Sequence, residues 1–399
     1  MICSAPDYLP LSLISFILHF FNLFATQKYQ NKIVNDNHNT ILGYSCRSLF
    51  HTFMTLMKLK KEELVIVTTP LHHTSFRNII ELFVKPENIH IIKMNENYNK
   101  IESLPEVNSC DLVIITHLFG QDMELSDFTQ FKNKHNCLFI EDRVQGGYIR
   151  SYSDYIFDLS FYSCGMDKRP VALGGGFVNI KQNTARLNNI AEYIEEQTSS
   201  YKEETRCERF MFLLKKIPTY LLYNCKPFIY LLIKLLNFFN MSLLDFATNY
   251  RKKNPGFAHN EYLKKPSNAL LKSIYDEFNN VSSIENLYTM QYSKFKNKLN
   301  IIHLRKYIKW DNNNDLLTPY NTFYVEKERF NEFTNYMKTC NICMVPNPTY
   351  KIFNHEYEGK DIDEEFNNSL VYMPSLANMS DEEMEYLAHK INLFEEMVD

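Results

Sequence analysis

The chain alternates short apolar runs with segments whose apolar residues recur at helical spacing. The apolar runs cover residues 63–69, 89–94, 111–118 and 137–142, and the helix-like segments between them cover 74–83 and 124–136. Strands that alternate with helices imply right-handed crossovers and a mainly parallel sheet covered on both faces. The pattern therefore predicts an α/β fold, with functional residues gathered beyond the carboxyl ends of the strands.

The pattern changes near residues 255–266, where the chain becomes more polar and helical. The last hundred residues read as a smaller α/β unit, with strands at 320–326, 342–345 and 369–373 and a helix at 329–340. A final helix is predicted to begin with a capping box of Ser380 and Glu383. We predict a large domain in residues 1–255, with a helical insertion at about 203–250, and connecting helices with a small C-terminal domain in residues 256–399.

Composition narrows the class of protein only slightly. The chain has 399 residues, of which 45% are apolar, so it can bury a sizeable core. A formal net charge of -4 without long runs gives no electrostatic footprint for nucleic acid. The Cys-x-x-Cys of Cys340 and Cys343 lacks a second pair for zinc, so no metal is expected. Nine scattered cysteines suit free thiols in a reducing compartment, which predicts a cytoplasmic protein.

Residues 9–25 (LPLSLISFILHFFNLFA) are nearly as long as a membrane-spanning helix. His19 and Asn22 interrupt this apolar segment, and no basic region precedes it as in a signal peptide. We interpret it as a buried N-terminal helix, with a membrane anchor as the alternative.

Residues 209–246 alternate apolar clusters with lysines. Pro218 and Pro227 are expected to break this segment into short helices, and its apolar runs are too short to span a bilayer. Two interpretations stay open: a helical insertion packed on the domain, or an amphipathic surface in peripheral contact with a membrane or a partner.

Candidate chemistry is concentrated in two neighbouring strands. One apolar run ends in Asp142, with Gln145 three residues later, and the next ends in Ser163, with Lys168 five residues later and glycines at 174–176. An aldehyde cofactor needs an amine to hold it covalently, an anion to keep its ring nitrogen protonated, and donors for its phosphate. This layout is typical of a pyridoxal phosphate site.

Four segments in register resemble the DegT/DnrJ/StrS family of sugar aminotransferases. Residues 114–121 (IITHLFGQ) are similar to its His-Leu-Tyr-Gly-Gln segment, and 141–145 (EDRVQ) to its Glu-Asp-Ala-Ala-Gln. Residues 163–168 (SCGMDK) are similar to its Ser-Phe-x-Pro-x-Lys, and 370–383 to its C-terminal segment. Met166 and Asp167 replace the proline region, and residues 45–49 (SCRSL) replace the phosphate turn Ser-Gly-Thr-x-Ala-Leu.

The resemblance implies a pyridoxal phosphate enzyme of fold type I and assigns roles to individual residues. Lys168 would hold the cofactor and move protons, and Asp142 would pair with its ring nitrogen. Five further positions would bind the cofactor. Gln145 would donate to its phenolate oxygen, and His73, with His72 as second choice, would stack on its ring. The phosphate would receive the Ser163 hydroxyl, with backbone N–H groups and charge from Arg47 and Ser48 at a helix start.

The reaction implied is ping-pong transfer of an amino group from an amino acid donor to a nucleotide-linked ketosugar, as in polysaccharide biosynthesis. A homodimer is implied as well, in which Lys264 or Lys265 would replace the family's cross-dimer arginine. Two alternatives stay open: another fold type I enzyme such as a dehydratase or lyase, or an inactive scaffold that retains the fold.

Overall fold

The computed structural model describes residues 13–34, 38–94, 100–117, 128–145, 156–165, 168, 171–182, 184–239, 262–299, 308–309, 322–326, 328–340, 342, 345–346, 350–352, 356–357, 360–361, 370–372, 376 and 379–398. The strands are β1 (Lys32–Val34), β2 (His38–Gly43), β3 (Ile66–Thr68), β4 (Leu71–His73), β5 (Ile89–Ile91), β6 (Lys93–Met94), β7 (Ile101–Ser103), β8 (Leu112–Thr116), β9 (Leu138–Asp142), β10 (Leu159–Ser163), β11 (Gly176–Lys181), β12 (Ile308–Lys309), β13 (Thr322–Val325), β14 (Val345–Pro346), β15 (Tyr350–Ile352), β16 (Glu356–Tyr357), β17 (Lys360–Asp361) and β18 (Leu370–Tyr372). The helices are α1 (Leu13–Phe21), α2 (Cys46–Lys60), α3 (Thr74–Phe83), α4 (Phe128–His135), α5 (Ala185–Ser200), α6 (Arg206–Asn224), α7 (Lys226–Phe238), α8 (Asn268–Lys296), α9 (Phe330–Thr339) and α10 (Asp381–Val398), with short 3-10 turns at Asn22–Phe24 and Pro86–Asn88.

The main sheet has eight strands in the order β1-β2-β11-β10-β9-β8-β3-β5. Strands β10, β9, β8, β3 and β5 are parallel, whereas β11 is antiparallel to both of its neighbours, β10 and β2. Strand β2 therefore points the same way as the parallel block. The carboxyl ends of β2, β9 and β10 and the amino end of β11 consequently meet at one edge. The prediction of a mainly parallel sheet in an α/β fold is confirmed.

Apolar cores cover both faces of this sheet. Every position of β8 and β9 is buried, as expected for strands with helices on either side. Alternate side chains enter different cores: Ile114 packs with residues of α2, α3 and α5, while Ile115 packs with Phe128 and Phe131 of α4. Helix α8 covers the region of β2, β10 and β11, where Leu270 and Ile274 contact Tyr162 and Phe177.

Helices α1 and α6 differ from the expectations at two points. Helix α1 buries Phe16 and His19 but leaves Leu13, Ile14 and Phe21 exposed, so the prediction of a buried N-terminal helix holds for one face only. A single buried stripe is enough to fix a helix on a domain. Pro218 lies inside α6, so the break predicted there is wrong. The break predicted at Pro227 is confirmed, because α6 ends at Asn224 and α7 begins at Lys226.

The C-terminal residues form a four-stranded sheet in the order β12-β13-β18-β14. Helices α9 and α10 pack together through Phe333 and Phe394, whose ring centroids are 5.1 Å apart. The predicted capping box is confirmed, because Ser380 and Glu383 exchange backbone-to-side-chain hydrogen bonds of 2.9 and 3.2 Å. The proposed domain boundary near residue 255 falls in residues outside those described and stays a prediction.

Candidate active site

The carboxyl edge of the sheet brings together the segments that carry the predicted chemistry. Asp142 is the last residue of β9, and Ser163, which ends β10, pairs with Gly176 at the start of β11. Ser45 follows β2 and forms a parallel bridge with Gly175. Three separate parts of the chain therefore meet at this edge.

Two glycines allow the first turn of α2 to approach this edge closely. A Cβ atom on Gly176 would lie 2.4 Å from the backbone nitrogen of Cys46 and 2.7 Å from the carbonyl oxygen of Tyr162. Gly175 has a φ of +84°, and a Cβ atom there would lie 2.7 Å from Ile274. Backbone atoms cannot yield as a flexible side chain can, so only glycine fits at position 176. The amino terminus of α2, where helices bind anions, is held at the end of the parallel strands.

Ser48 is part of the capping box at the start of α2. Its hydroxyl accepts a hydrogen bond of 3.1 Å from the backbone N–H of Ser45 and donates one of 2.7 Å to the Ser45 carbonyl oxygen. The Ser45 hydroxyl in turn accepts one from the N–H of Ser48. Ser48 is fully buried, so its side chain shapes the helix start. Arg47 is exposed, with its guanidinium 5.9 Å from the ring centroid of Tyr262.

Asp142 is a buried carboxyl group at the end of β9. It is 2% exposed, and its Oδ1 accepts a 3.0 Å hydrogen bond from the backbone N–H of Val144. Burial raises its pKa from the ordinary 3.8 to about 6, although that hydrogen bond and the positive charge of Lys168 act in the opposite direction. The site thus holds a carboxyl group whose charge the surroundings only partly stabilise.

Lys168 is half-buried and lies within electrostatic range of two groups at this edge. Its charge lowers the pKa of Asp142, and it opposes the burial that raises the pKa of the Cys46 thiol. Its backbone N–H donates a 3.1 Å hydrogen bond to the carbonyl oxygen of Gly165. An amine, a buried carboxyl group and a helix amino terminus, three features predicted to act together, are therefore brought together.

The neighbouring carboxylate of Glu141 is surrounded by donors and positive charge that lower its pKa, in contrast to Asp142. Its Oε2 lies 3.0 Å from Nε2 of His117 and 3.4 Å from Nη1 of Arg143, and the Ser160 hydroxyl donates to Oε1. Burial alone would raise the pKa of Glu141, but these donors and charges lower it to about 2. The network is almost fully buried. Sequence reasoning missed it as a unit, although the Glu-Asp pair at a strand end was a usable signal.

The two histidines after β3 occupy different positions. His72 is fully buried, with its Nε2 2.7 Å from the Thr68 hydroxyl and its Nδ1 2.7 Å from the Thr116 hydroxyl. Burial lowers the pKa of His72 to about 3, so its ring is neutral. His73 is half-buried, and its Nδ1 accepts a 3.3 Å hydrogen bond from the N–H of Ser75 at the start of α3. His73 is thus the more accessible of the two.

A buried arginine supports the loop that leads to the glycines. Arg209 of α6 donates hydrogen bonds of 3.2 Å to the carbonyl oxygens of Ala172 and Leu173. Leu173 has a φ of +53°, which is unfavourable for a side chain with a Cβ atom. The carboxyl group of Glu204 is buried nearby and raises the pKa of Arg209 against the larger effect of burial. No sequence pattern identified Arg209, since its role depends on how α6 packs.

Other predicted residues are placed as follows. Gln145 is buried in the turn after β9. Lys264 forms a 3.0 Å ion pair with Glu208 of the same chain, and the backbone of Lys265 pairs with that of Glu203. Cys343 and residues 118–121, 166–167 and 260–261 lie outside the described residues. In the part of the chain that the structure describes, no group of three metal-ligating side chains could hold an ion.

No protein-family model matches this sequence, and no curated protein sequence matches it either. Solved structures are similar in fold at low sequence identity. Helicobacter pylori PseC, an aminotransferase involved in the biosynthesis of pseudoaminic acid, aligns over 99% of both chains with a TM-score of 0.64 and 11% identity. The sugar aminotransferase CalS13 from Micromonospora echinospora aligns over 98% of this chain and 100% of its own, with a TM-score of 0.62 and 10% identity.

NtdA from Bacillus subtilis, solved with its bound cofactor PMP, aligns over 98% of this chain and 84% of its own. Its TM-score is 0.59 and its identity is 12%. At such identities the likeness concerns the fold and not the activity. The chain has the fold type I architecture of these aminotransferases.

Proposed function

We propose that this protein is a pyridoxal phosphate-dependent aminotransferase that moves an amino group from an amino acid to a sugar carrying a keto group. The observation that carries the proposal is the buried carboxyl group of Asp142 within electrostatic range of Lys168, beside the glycine-lined start of α2. Burial disfavours the ionised form of Asp142 and so raises its pKa. A cationic ligand beside the carboxyl group would favour the ionised form, so this site suits such a ligand.

The residues present fit the cofactor. Asp142 would face the protonated ring nitrogen, and Lys168 would hold the aldehyde carbon. The backbone N–H groups at the start of α2 and the Ser163 hydroxyl would receive the phosphate, with Arg47 at the exposed side of that turn. His73 supplies a flat ring near the same strand ends, and Gln145 an amide for the phenolate oxygen. Ser48 acts indirectly, because its hydroxyl caps the helix.

Each residue then has one task in the reaction. Pyridoxal phosphate, when bound, supplies an electron-withdrawing ring that takes up the bonding electrons of the substrate carbon and stores the amino group between two half-reactions. Asp142 keeps the proton on the ring nitrogen. Once the substrate amine has displaced it, the Lys168 amine carries the proton from the substrate carbon. The Glu141 network stays ionised and fixes the strand end that carries Asp142.

The substrate class is proposed from the similar structures. PseC acts in the biosynthesis of pseudoaminic acid and CalS13 is a sugar aminotransferase, and both cover nearly the whole of this chain. We further propose that the acceptor is a nucleotide-linked ketosugar and that the donor is an amino acid. The two half-reactions would follow a ping-pong order, and the protein would assemble as a homodimer. Lys168 argues against the dehydratase alternative, because dehydratases that resemble this family usually lack the lysine.

The covalent attachment tests the proposal. The protein should be incubated with pyridoxal phosphate, reduced with borohydride and digested, and we expect the reduced adduct on Lys168. Lys168→Ala should give no adduct, while Lys202→Ala, which removes an exposed lysine, should keep it. An adduct spread over several surface lysines would contradict the assignment.

A second measurement separates an aminotransferase from a scaffold or a dehydratase. Without any sugar acceptor, an amino acid donor should bleach the visible band of the loaded protein and release one equivalent of keto acid. Addition of a ketosugar nucleotide should restore the band. A band that no donor changes would favour a scaffold that binds the cofactor without turning it over.

A further inference from the structure

The exposed apolar side chains of the chain are unevenly distributed. Of the 18 large apolar side chains that are exposed among the described residues, 13 lie in the N-terminal helix and its following turn or in residues 210–239. Phe24 is 75% exposed and Phe238 is 79% exposed. Scattered apolar residues are ordinary on a protein surface, but a cluster of exposed apolar side chains marks a surface that binds another protein or a membrane.

Helix α1 is apolar on its outward face as well as on its inward face. Its inward face carries Phe16 and a buried histidine, whereas Leu13, Ile14, Ile17 and Phe21 point outward at helical spacing. Burial of His19 lowers its pKa to about 3, so this histidine is neutral inside. A helix placed only to cover its own domain would turn the apolar stripe inward and leave polar residues outside.

Helix α7 also exposes an apolar stripe, although its buried Leu236 is apolar too. Phe228, Leu231, Leu235 and Phe238 are exposed at intervals of three, four and three residues, which is one stripe along the helix. Lys234 lies exposed within the same stripe. Helix α6 connects the two helices, since it packs against both and its exposed Phe210 makes an edge-to-face contact with Phe20 of α1.

The charge of these segments is of one sign. The sequence has no Asp or Glu in residues 13–34 or in residues 209–239, whereas the second range contains Lys215, Lys216, Lys226 and Lys234. The one carboxylate of α6, Glu208 at its start, is already paired with Lys264. Lysines beside apolar side chains suit the boundary of an anionic bilayer, where the hydrocarbon stem stays apolar and the ammonium group reaches the headgroups. Among the described residues, no helix combines the length and the apolar character that a membrane crossing requires.

From the exposed apolar stripes and the lysines beside them, we propose that the outer surface of α1, α6 and α7 docks on the face of an anionic lipid bilayer without crossing it. A second copy of this chain fits less well as the occupant. A two-fold interface would place this lysine-bearing surface against itself, and like charges would face each other with no carboxylate from these segments to pair them. The proposal does not depend on the cofactor or on the reaction.

Co-flotation with vesicles tests the docking surface directly. The whole chain should float with vesicles of equal parts phosphatidylglycerol and phosphatidylcholine. With phosphatidylcholine alone, binding should fall about tenfold or more, because each lysine near an anionic surface contributes about a fivefold factor. Added salt should weaken the binding to anionic vesicles in the same direction.

Variants assign the binding to this surface. Leu231→Asp combined with Phe238→Asp should reduce flotation by about tenfold or more, because both side chains leave the bilayer and two negative charges are added. Lys215→Glu combined with Lys234→Glu should abolish the preference for anionic lipid. Leu59→Asp is the matched control, since Leu59 is also exposed but lies at the end of α2. Circular dichroism of each variant checks that it is folded.

Two results would overturn the proposal. One is a wild-type chain that stays with the unbound fraction in both vesicle types. The other is a Leu231→Asp, Phe238→Asp variant that floats as well as wild type. If this variant instead halves the sedimentation mass while wild type ignores vesicles, the surface is an interface between copies of the chain.

Discussion

Replacing Asp142 with asparagine should stabilise the cofactor-free protein while removing its activity. The carboxyl group is buried and receives a hydrogen bond from the N–H of Val144, which an asparagine side-chain oxygen at the same place can also accept. What the substitution removes is the charge. At neutral pH this charge is held in a site that disfavours it, because burial raises the pKa of Asp142 to about 6.

The magnitude follows from the pKa of this group in the folded and unfolded chain. One pKa unit corresponds to about 1.4 kcal/mol, so a rise from 3.8 to about 6 costs the folded protein about 3 kcal/mol when Asp142 is ionised. A carboxyl group with a raised pKa makes its stabilising contribution at low pH and loses it as the pH rises through the folded value. The advantage of Asp142→Asn should therefore be about 3 kcal/mol at about pH 8 and roughly half as large at about pH 5.

Urea unfolding of the cofactor-free proteins at these two pH values measures the difference. Asp158→Asn is a suitable control, because Asp158 is also buried but forms a 2.8 Å ion pair with Lys132 and accepts a hydrogen bond from Phe139. This control should lose stability. Although the cofactor-free variant gains stability, the cofactor-loaded variant should lose activity: turnover of Asp142→Asn should fall by orders of magnitude. If the two cofactor-free proteins are equally stable at both pH values, the reasoning about burial is refuted.

Three further substitutions test the framework of the site. Glu141→Gln should lower the free energy of unfolding by up to about 3 kcal/mol at neutral pH, and this loss should disappear as the pH falls from 4.5 to about 2, as urea titrations can show. Gly176→Ala should cost about 2 kcal/mol or more in thermal unfolding, because the new methyl group meets the Cys46 backbone. Arg209→Met should cost about 2 kcal/mol or more, because it leaves the carbonyl oxygens of Ala172 and Leu173 without their donor. Arg206→Met, on the exposed start of the same helix, should stay within about 0.5 kcal/mol.

The elements of the main sheet could be predicted because their signals are local. The buried runs that became β8 and β9 are apolar at nearly every position, and the capping residues of the last helix are adjacent in sequence. The convergence of Asp142 and Lys168 could also be predicted, since parallel strands place their carboxyl ends together. The roles of the individual residues at this edge stay predictions.

Features that depend on packing could not be predicted in the same way. The backbone N–H of Ser48 was expected at a phosphate; in the structure it donates to the Ser45 hydroxyl, and the Ser48 hydroxyl bonds within the same helix turn. Pro218 was expected to end a helix, yet α6 continues through it because its packing outweighs the one lost hydrogen bond. Arg209 looked like one basic residue in an apolar segment, and only the position of α6 beside residues 172–174 gives it buried acceptors.

The adjacent carboxyl groups of Glu141 and Asp142 show how one strand end can serve two purposes. Successive side chains of a strand point to opposite faces, so the two groups meet different surroundings although they are neighbours in sequence. Glu141 meets His117, Arg143 and a serine hydroxyl, and its pKa falls to about 2. Among the described residues, Asp142 accepts a hydrogen bond from the N–H of Val144, and burial raises its pKa to about 6 despite the nearby charge of Lys168. The first group is therefore satisfied within the chain and anchors the strand, whereas the second is left to be satisfied by a cation. Binding of a protonated ring nitrogen would recover part of the free energy that burial of Asp142 costs, so the raised pKa is a physical reason for the site to prefer a cationic ligand.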